Sequence, residues 1–262
     1  MGRQMPSKTG VRSKCLLLFS AAHRPDSSDV RRGSVFSGDS LMLHRGASAL
    51  APENTLLAIW LAISHRLDFA EVDVHLSRDG QLVVHHDAHF TDGDGKQVLV
   101  GELTAAELGR VPKGDDQGIP RLEEVLALAG QRIGVYIELK TPGTAEALGA
   151  LLARHPDVPE LIGGSHSAAL VDELRRSAPH VPRSVLFRRV SPSAMIEICR
   201  AVGARYAHPC GRPITPMAIG QLHAAGLQVM APHTNDPAEA ERFREAGPIS
   251  SPATTRGCWS RS

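Results

Sequence analysis

The feature that most constrains the fold of this chain is an alternation of short apolar runs with longer amphipathic segments, which begins at Leu41. In the longer segments, apolar residues recur every three or four positions, as on one face of a helix. Such an alternation is typical of βα units, in which helices connect parallel strands and cover the sheet. The pattern predicts strands at 41–43, 69–76, 82–85, 133–139, 160–162, 183–187, 204–208 and 227–231. It predicts helices at 55–64, 122–129, 144–153, 168–176, 192–201, 215–225 and 237–246.

The number of these units predicts an α/β fold of the TIM (β/α)8 type. The chain has 262 residues, and a barrel of this kind takes roughly 250. About seven βα units are visible, so the predicted barrel nearly closes. Two prolines and a polar run within residues 248–262 disfavour a central strand there, because proline cannot donate a backbone hydrogen bond. The eighth strand is therefore doubtful or missing at the level of sequence.

Composition and periodicity divide the chain into three parts, the second of which has an insertion. Residues 1–40 are rich in Arg, Ser and Gly and lack periodicity, which predicts a disordered N-terminal extension. Residues 41–247 form the predicted barrel domain. A stretch dense in Gly near 91–120 is predicted to be a short insertion, and residues 248–262 form an atypical C-terminal tail.

Charge and cysteine content exclude several classes of protein. The formal net charge is +1, so no general basic field favours nucleic acid as a partner. The four cysteines include no C-x-x-C pair, which argues against a zinc site or a disulfide framework. The apolar stretch near the start is far shorter than the roughly 20 residues of a transmembrane helix and only weakly resembles a secretory signal. We therefore predict a cytoplasmic protein without a transmembrane segment, and the sequence does not indicate its oligomeric state.

Two carboxylates on one predicted strand form the first candidate site. Glu71 and Asp73 stand two positions apart in an otherwise apolar run, so both side chains point to the same face. Two buried anions side by side need a counter-charge, and a divalent cation with oxygen ligands, Mg²⁺ or Ca²⁺, supplies it. The alternative is a half-exposed strand whose acids are in water.

A second strand repeats this arrangement with opposite charges. Glu138 and Lys140 share one face of an apolar run, and in isolation they are explained by an ordinary ion pair. In a parallel barrel, however, side chains near the carboxyl ends of the strands converge at the face where barrel enzymes place their chemistry. A third oxygen ligand beside a lysine would then form part of a metal and phosphate site.

Histidines follow two further predicted strands. His44 comes directly after the first strand and His86 follows the run at 82–85. Each alone is explained by a structural role, but two imidazoles near strand ends suit an acid–base pair, since their ordinary pKa lies near neutrality. Arg45, beside His44, offers a planar fork of donors that matches phosphate oxygens.

Six motifs together resemble the glycerophosphodiester phosphodiesterase family, in its order and spacing. They are His44-Arg45-Gly46, Pro52-Glu53-Asn54-Thr55, Glu71-Val72-Asp73-Val74, Asp79-Gly80 with Val83-Val84-His85-His86-Asp87, Ile119-Pro120-Arg121-Leu122-Glu123-Glu124-Val125-Leu126 and Ile137-Glu138-Leu139-Lys140. The resemblance is strong over residues 41–140 and looser to 247. It implies a TIM-type barrel of lipid and glycerol metabolism that uses a divalent metal to hydrolyse glycerophosphodiesters to glycerol 3-phosphate and an alcohol.

The resemblance also implies a role for each candidate residue. The implied metal ligands, for Mg²⁺ or Ca²⁺, are Glu71, Asp73 and Glu138. The implied acid–base pair is His44 and His86, and the implied substrate-binding cations are Arg45 and Lys140. Two alternatives stay open: a lysophospholipid-directed phosphodiesterase of the same fold, and a catalytically impaired barrel that only binds metal or phosphate because its last strand is degenerate.

Overall fold

The computed structural model describes residues 41–113, 118–210, 214–230 and 249–253, the last of these as backbone. The strands are β1 (Leu41–Leu43), β2 (Phe69–Leu76), β3 (Leu82–Val84), β4 (His89–Thr91), β5 (Gln97–Leu99), β6 (Gly134–Leu139), β7 (Leu161–Ser165), β8 (Arg183–Phe187), β9 (Tyr206–Pro209), β10 (Gln228–Met230) and β11 (Ile249–Ala253). The helices are α1 (Leu56–Ser64), α2 (Ala105–Leu108), α3 (Leu122–Ala129), α4 (Thr144–Arg154), α5 (Ala168–Ser177), α6 (Pro192–Val202) and α7 (Pro216–Ala224).

Eight of the described strands form a closed parallel barrel. Around it, β1, β2, β6, β7, β8, β9, β10 and β11 follow one another, and β11 pairs back with β1. Helices pack their apolar faces on the outside, where Val72, Ile137 and Leu148 belong to one buried cluster. The predicted TIM-type fold is confirmed. No helix in the described ranges is long and apolar enough to cross a membrane.

The eighth strand, which the sequence leaves in doubt, is formed by β11. Its backbone pairs in parallel with β10, where Val229 is opposite Ile249, and with β1, where Met42 is opposite Pro252. Pro252 has no N–H to donate, so at this position β11 contributes only its carbonyl to the ladder. The predicted extension at 1–40, the predicted helix at 237–246 and residues 254–262 of the predicted tail lie outside the described residues.

The run at 82–85 forms a strand, but one outside the barrel. β3 pairs antiparallel with the end of β2, because the five residues between them are too few for a crossover helix. Gly80, with φ of +72°, lets the chain reverse direction in this turn. The following segment contains the β4–β5 hairpin and α2 before the chain enters α3.

One level of apolar side chains fills the interior of the barrel. Seven strands each contribute one buried residue to it: Met42, Phe69, Tyr136, Ile162, Leu186, Tyr206 and Met230. Because side chains alternate along a strand, the residue two positions further also points inward, nearer the carboxyl end. At that next level stand His44, Glu71, Glu138 and His208. The apolar level is thus the floor of the polar region in which the candidate site lies.

The loop after β1 is held tightly against α1 at a glycine. Gly46 has φ of +72°, and its N–H donates to the Glu71 carbonyl over 3.0 Å. A Cβ atom at this position would lie 2.9 Å from both the carbonyl carbon and the Cβ of Ala58. Only glycine therefore satisfies both the left-handed backbone and the close contact with the helix.

We expect Gly46→Ala to destabilise the protein more than Gly80→Ala does. The two glycines share a φ of +72°, but a Cβ at Gly80 meets nothing within 4 Å. The backbone strain of about 1–2 kcal/mol is common to both variants, whereas the contact with Ala58 adds about 1–3 kcal/mol in Gly46→Ala alone. Urea denaturation gives the free energies of unfolding. Equal losses in the two variants would show that α1 yields to the added methyl group.

Candidate active site

Three buried carboxylates converge inside the barrel. Asp73 of β2 and Glu138 of β6 are direct register partners, and Glu71 stands two residues before Asp73 on the same face. Their relative exposures are 2% for Glu71, 0% for Asp73 and 7% for Glu138. One oxygen of each lies within 4.8 Å of the others. Burial, followed by the charges of Asp73 and Glu138, raises the pKa of Glu71 well above its ordinary value.

Lys140 supplies part of the counter-charge for this cluster. Its Nζ lies 2.8 Å from Asp73 Oδ1 and 2.6 Å from Glu138 Oε1. Although burial opposes the charged form of Asp73, the Lys140 ammonium outweighs it and lowers the pKa of that carboxyl. Burial likewise opposes the charge of Lys140, but Asp73 and Glu138 raise its pKa. The strands β2 and β6 therefore place one cation between two anions.

The donor set also fits a divalent cation. Glu71 Oε1 is buried and has no hydrogen-bond partner among the described residues. An unsatisfied buried carboxylate oxygen is costly, and coordination to a metal removes that cost. Three carboxylates with no nitrogen or sulfur ligand form a set of hard oxygens, which suits Mg²⁺ or Ca²⁺ rather than a thiophilic metal.

The loop after β1 brings Arg45 into the cluster. Arg45 has a left-handed φ of +56°, and its backbone N–H donates to Glu71 Oε2 over 2.6 Å. Its side-chain Nη1 donates to both carboxylate oxygens of Glu53, and its Nε lies 3.5 Å from Asp73 Oδ2. A strained backbone held by several bonds is typical of a functional site. Arg45 thus links the first strand to the carboxylates by both main chain and side chain.

Asn54 fixes Asp73 from the other end of the same loop. Its Nδ2 donates to Asp73 Oδ2 over 2.8 Å, while its Oδ1 accepts from the Asp73 backbone N–H over 3.2 Å. Its φ of +57° lies in the left-handed region that Asn tolerates better than most residues. The neighbouring Thr55 caps α1. Asn54 belongs to the Pro52–Thr55 motif, and its contact with Asp73 gives that motif a positioning role at the site.

His44 lies against the carboxylates as a neutral imidazole. Its Nε2 is 3.9 Å from Glu71 Oε2. Burial and the adjacent Arg45 guanidinium lower the pKa of His44 to about 3, with Asp73 acting in the opposite sense. The ring is therefore uncharged at neutral pH and is able to accept a proton.

His86 stands at the rim of this group. Its Nδ1 is 2.8 Å from Asp87 Oδ1, and its backbone carbonyl lies 3.1 Å from Nε2 of His75. The side chain is 33% exposed, and in the described part of the chain its ion-pair partner is Asp87 rather than a member of the cluster. The structure thus brings His44, Arg45, Lys140 and the three carboxylates together. His86 lies beside this group and is paired with Asp87.

Two further histidines lie near the predicted site residues. His75 continues the two-residue spacing of Glu71 and Asp73 on β2 and is 5% exposed. Burial lowers its pKa, so it is a neutral ring that positions the His86 backbone. The alternation along β2 was a sufficient signal for it. His208 stands two residues after Tyr206 on β9, at the level of Glu71 and Glu138. Its ring contacts Tyr136 edge-on, with the centroids 6.0 Å apart.

Comparison with known proteins identifies close similarity to one family. The model of the glycerophosphoryl diester phosphodiesterase family matches residues 44–250. A Bacillus subtilis protein provisionally named a glycerophosphodiester phosphodiesterase is 32% identical over 225 residues, covering 79% of this chain and 90% of that protein. A glycerophosphodiester phosphodiesterase from Bacillus altitudinis is 31% identical over 212 residues, covering 74% of this chain and 85% of the relative.

A solved structure shares both the fold and the extent of the match. It is a phosphodiesterase from Oleispira antarctica in complex with the product sn-glycerol-3-phosphate. The TM-score is 0.75 at 26% sequence identity, and the match covers 82% of this chain and 92% of that one.

The raised pKa of Glu71 predicts that Glu71→Gln stabilises the metal-free protein. An acid with a raised pKa binds more protons folded than unfolded, so ionisation destabilises the fold as pH rises above the ordinary value of 4.5. The amide keeps an acceptor for the Arg45 N–H but removes the charge. We expect the variant to be more stable than the wild type by about 1–3 kcal/mol at neutral pH and no more stable below about pH 4.

Urea denaturation in the presence of a chelator, at several pH values, measures this difference. Glu197→Gln, on the exposed face of α6, is the matched control and should show no such trend. A Glu71→Gln variant that loses stability at neutral pH would contradict the assignment of an uncompensated charge to Glu71.

Proposed function

We propose that this chain, which belongs to the glycerophosphoryl diester phosphodiesterase family, hydrolyses glycerophosphodiesters to glycerol 3-phosphate and an alcohol through His44 and His86. Membership of the family makes it an enzyme of the phosphoric diester hydrolase class. The observation that supports the residue roles is the cluster of buried carboxylates, which has cations on its flank and a neutral imidazole 3.9 Å from Glu71.

We assign Glu71, Asp73 and Glu138 as ligands of a divalent cation, Mg²⁺ or Ca²⁺. Such a cation, when bound, supplies Lewis-acid stabilisation of negative charge on phosphoryl oxygens. Arg45 and Lys140 add fixed positive charge next to the carboxylates, and both are held by ion pairs before the substrate arrives. Preorganised charges of this kind need no rearrangement as the transition state forms.

The two histidines move the protons of the reaction. His44 is neutral and accepts a proton from the attacking hydroxyl. The attacking group is the 2-hydroxyl of the substrate's own glycerol, which is next to the phosphate and closes a cyclic phosphate. His86 then returns a proton to the leaving alkoxide, which releases the alcohol. In the second half of the reaction the roles reverse: His86 takes a proton from the water that attacks the cyclic phosphate, and His44 returns its proton to the 2-oxygen, which gives glycerol 3-phosphate. Asp87 holds His86 Nδ1 and so directs its Nε2 away from that carboxylate. The assignment of base and acid follows from the different surroundings of the two rings.

The two alternative functions, an impaired barrel and a lysophospholipid-directed phosphodiesterase, are not equally supported. The impaired barrel was motivated by a missing closing strand, and β11 pairs with both of its neighbours. The lysophospholipid-directed reaction uses the same residues and is distinguished by its substrate alone. A cytoplasmic location and the lack of nucleic-acid partners stay predictions from the sequence.

We expect metal-dependent release of glycerol 3-phosphate from glycerophosphocholine and glycerophosphoethanolamine. His44→Ala and His86→Ala should each lower kcat by about 10²–10⁴-fold, since each removes a general acid or base. His180→Ala, at an exposed position in the connection between α5 and β8, is the matched control and should retain activity. Parallel assays with lysophosphatidylcholine test the alternative. Turnover of that lipid alone, or full activity in both site variants, would overturn the proposal.

Metal binding should stabilise the fold measurably. A ligand at 100 times its Kd adds about 2.7 kcal/mol to the free energy of unfolding. We therefore expect the Tm of chelator-treated protein to rise on titration with Mg²⁺ or Ca²⁺, and the rise to disappear in Glu138→Gln. The cation with the larger rise at equal concentration is the preferred one. A Tm that responds to neither cation would contradict the ligand assignment.

A further inference from the structure

Lys113 approaches the active site from the segment that precedes α3. It follows α2, in the part of the chain that also contains the β4–β5 hairpin. Its Nζ lies 3.1 Å from Nδ1 of His85, the residue directly before His86. The backbone N–H of His85 donates to the Asp73 carbonyl over 3.0 Å, so this lysine sits beside the end of β2. Lys113 therefore belongs to the same mouth of the barrel as the carboxylate cluster.

His85 is fixed in the orientation that receives Lys113. Its ring meets Phe90 of β4 edge to face, with the centroids 6.2 Å apart. The backbone bond to Asp73 holds the other side of the residue. Since a lysine ammonium only donates, His85 Nδ1 is the acceptor, and the other two ammonium hydrogens have no acceptor in the described part of the chain. The bond leaves Lys113 with its charge uncompensated by its partner.

This lysine differs from the other two cations of the site. Arg45 is bonded to Glu53 and Lys140 to Asp73 and Glu138. Among the described residues, no carboxylate is paired with Lys113 within 4.0 Å, although its charge acts on those of Glu53 and Asp73. Lys113 is half-buried, and a partly desolvated cation that no described carboxylate pairs with is a favourable place for an anionic ligand.

We propose that Lys113, held by His85, forms a subsite for an anionic group on the alcohol part of the substrate and thereby sets substrate preference. The inference rests on the proposed function. In the proposed function, Arg45, Lys140 and the cation held by the carboxylate cluster bind the phosphate. None of these residues is bonded to Lys113. Because the glycerol part of the substrate has no anionic group apart from that phosphate, an anionic group that reaches Lys113 belongs to the alcohol part. A glycerophosphodiester whose alcohol has a carboxylate should be preferred to one that lacks it.

Two substrates isolate the contribution of that carboxylate. Glycerophosphoserine and glycerophosphoethanolamine differ only in the carboxylate of the alcohol part. The quantity to measure is the ratio of their kcat/KM values in the wild type, Lys113→Gln and Lys113→Glu. Lys96→Gln is the matched control, because Lys96 is an exposed lysine in the turn between β4 and β5. Thermal unfolding of each variant reports on the fold separately.

We expect the wild type to prefer the serine substrate and Lys113→Gln to lower the ratio about tenfold, which is the scale of one charge-assisted hydrogen bond. Lys113→Glu should lower the ratio further, and Lys96→Gln should leave it unchanged. A ratio that stays within about twofold in Lys113→Gln, with both substrates slowed alike, would overturn the subsite, since a structural or phosphate-binding role affects both substrates equally. A wild type that hydrolyses neither substrate would overturn the proposed function, and this inference with it.

Discussion

The structure depends on compensating three carboxylates that converge inside the barrel. Glu71, Asp73 and Glu138 lie too close together to be charged without cations. Lys140 forms ion pairs with Asp73 and Glu138, whereas Glu71 keeps an oxygen with no hydrogen-bond partner in the described part of the chain. The loop after β1 completes the arrangement, because it reaches the cluster only by adopting left-handed backbone at Arg45, Gly46 and Asn54. The conformation of that loop therefore serves both the charges at Arg45 and Asn54 and the close packing of Gly46 against α1.

In the barrel interior, the residues that pack the core and the residues that form the site lie two positions apart on the same strands. The apolar level contains Phe69 and Tyr136, and the residues two positions further are Glu71 and Glu138. A single β-strand thus contributes first to a packed floor and then to a polar site above it. This arrangement excludes water from below and leaves the carboxyl ends of the strands open, as in other barrel enzymes.

Much of this site was predictable because it depends on short spacing. The two-residue interval between Glu71 and Asp73, and between Glu138 and Lys140, fixes a shared face whatever the rest of the chain does. The barrel then brings the two strands into register, which the βα alternation already indicated. The same interval, extended by one step along β2, places His75 on this face.

The features that sequence did not reveal depend on contacts between distant segments. The two-point contact of Asn54 with Asp73 requires a particular loop path, and residue type alone allowed simple capping. The apolar pattern of β3 alone predicts one more parallel barrel strand, but the short turn before it makes the strand antiparallel to β2. β11 has a weak strand pattern and forms because β1 and β10 both leave an edge to be paired. Lys113 reaches His85 across 28 positions, through an insertion without periodicity.

The closing strand has a further consequence for how the molecule opens. β1 is paired with β11 at three positions and with β2 at two, whereas β2 and β6 are paired at six. Each ladder in the seam beside β1 is therefore at most half as long as the ladder between β2 and β6, and sub-global opening at this seam is expected to precede opening between β2 and β6. Because His44 and Arg45 follow β1 directly, such an opening withdraws the base and one cation while the carboxylates stay in place. Amide exchange at the seam and loss of catalysis would then share one transition, which precedes global unfolding.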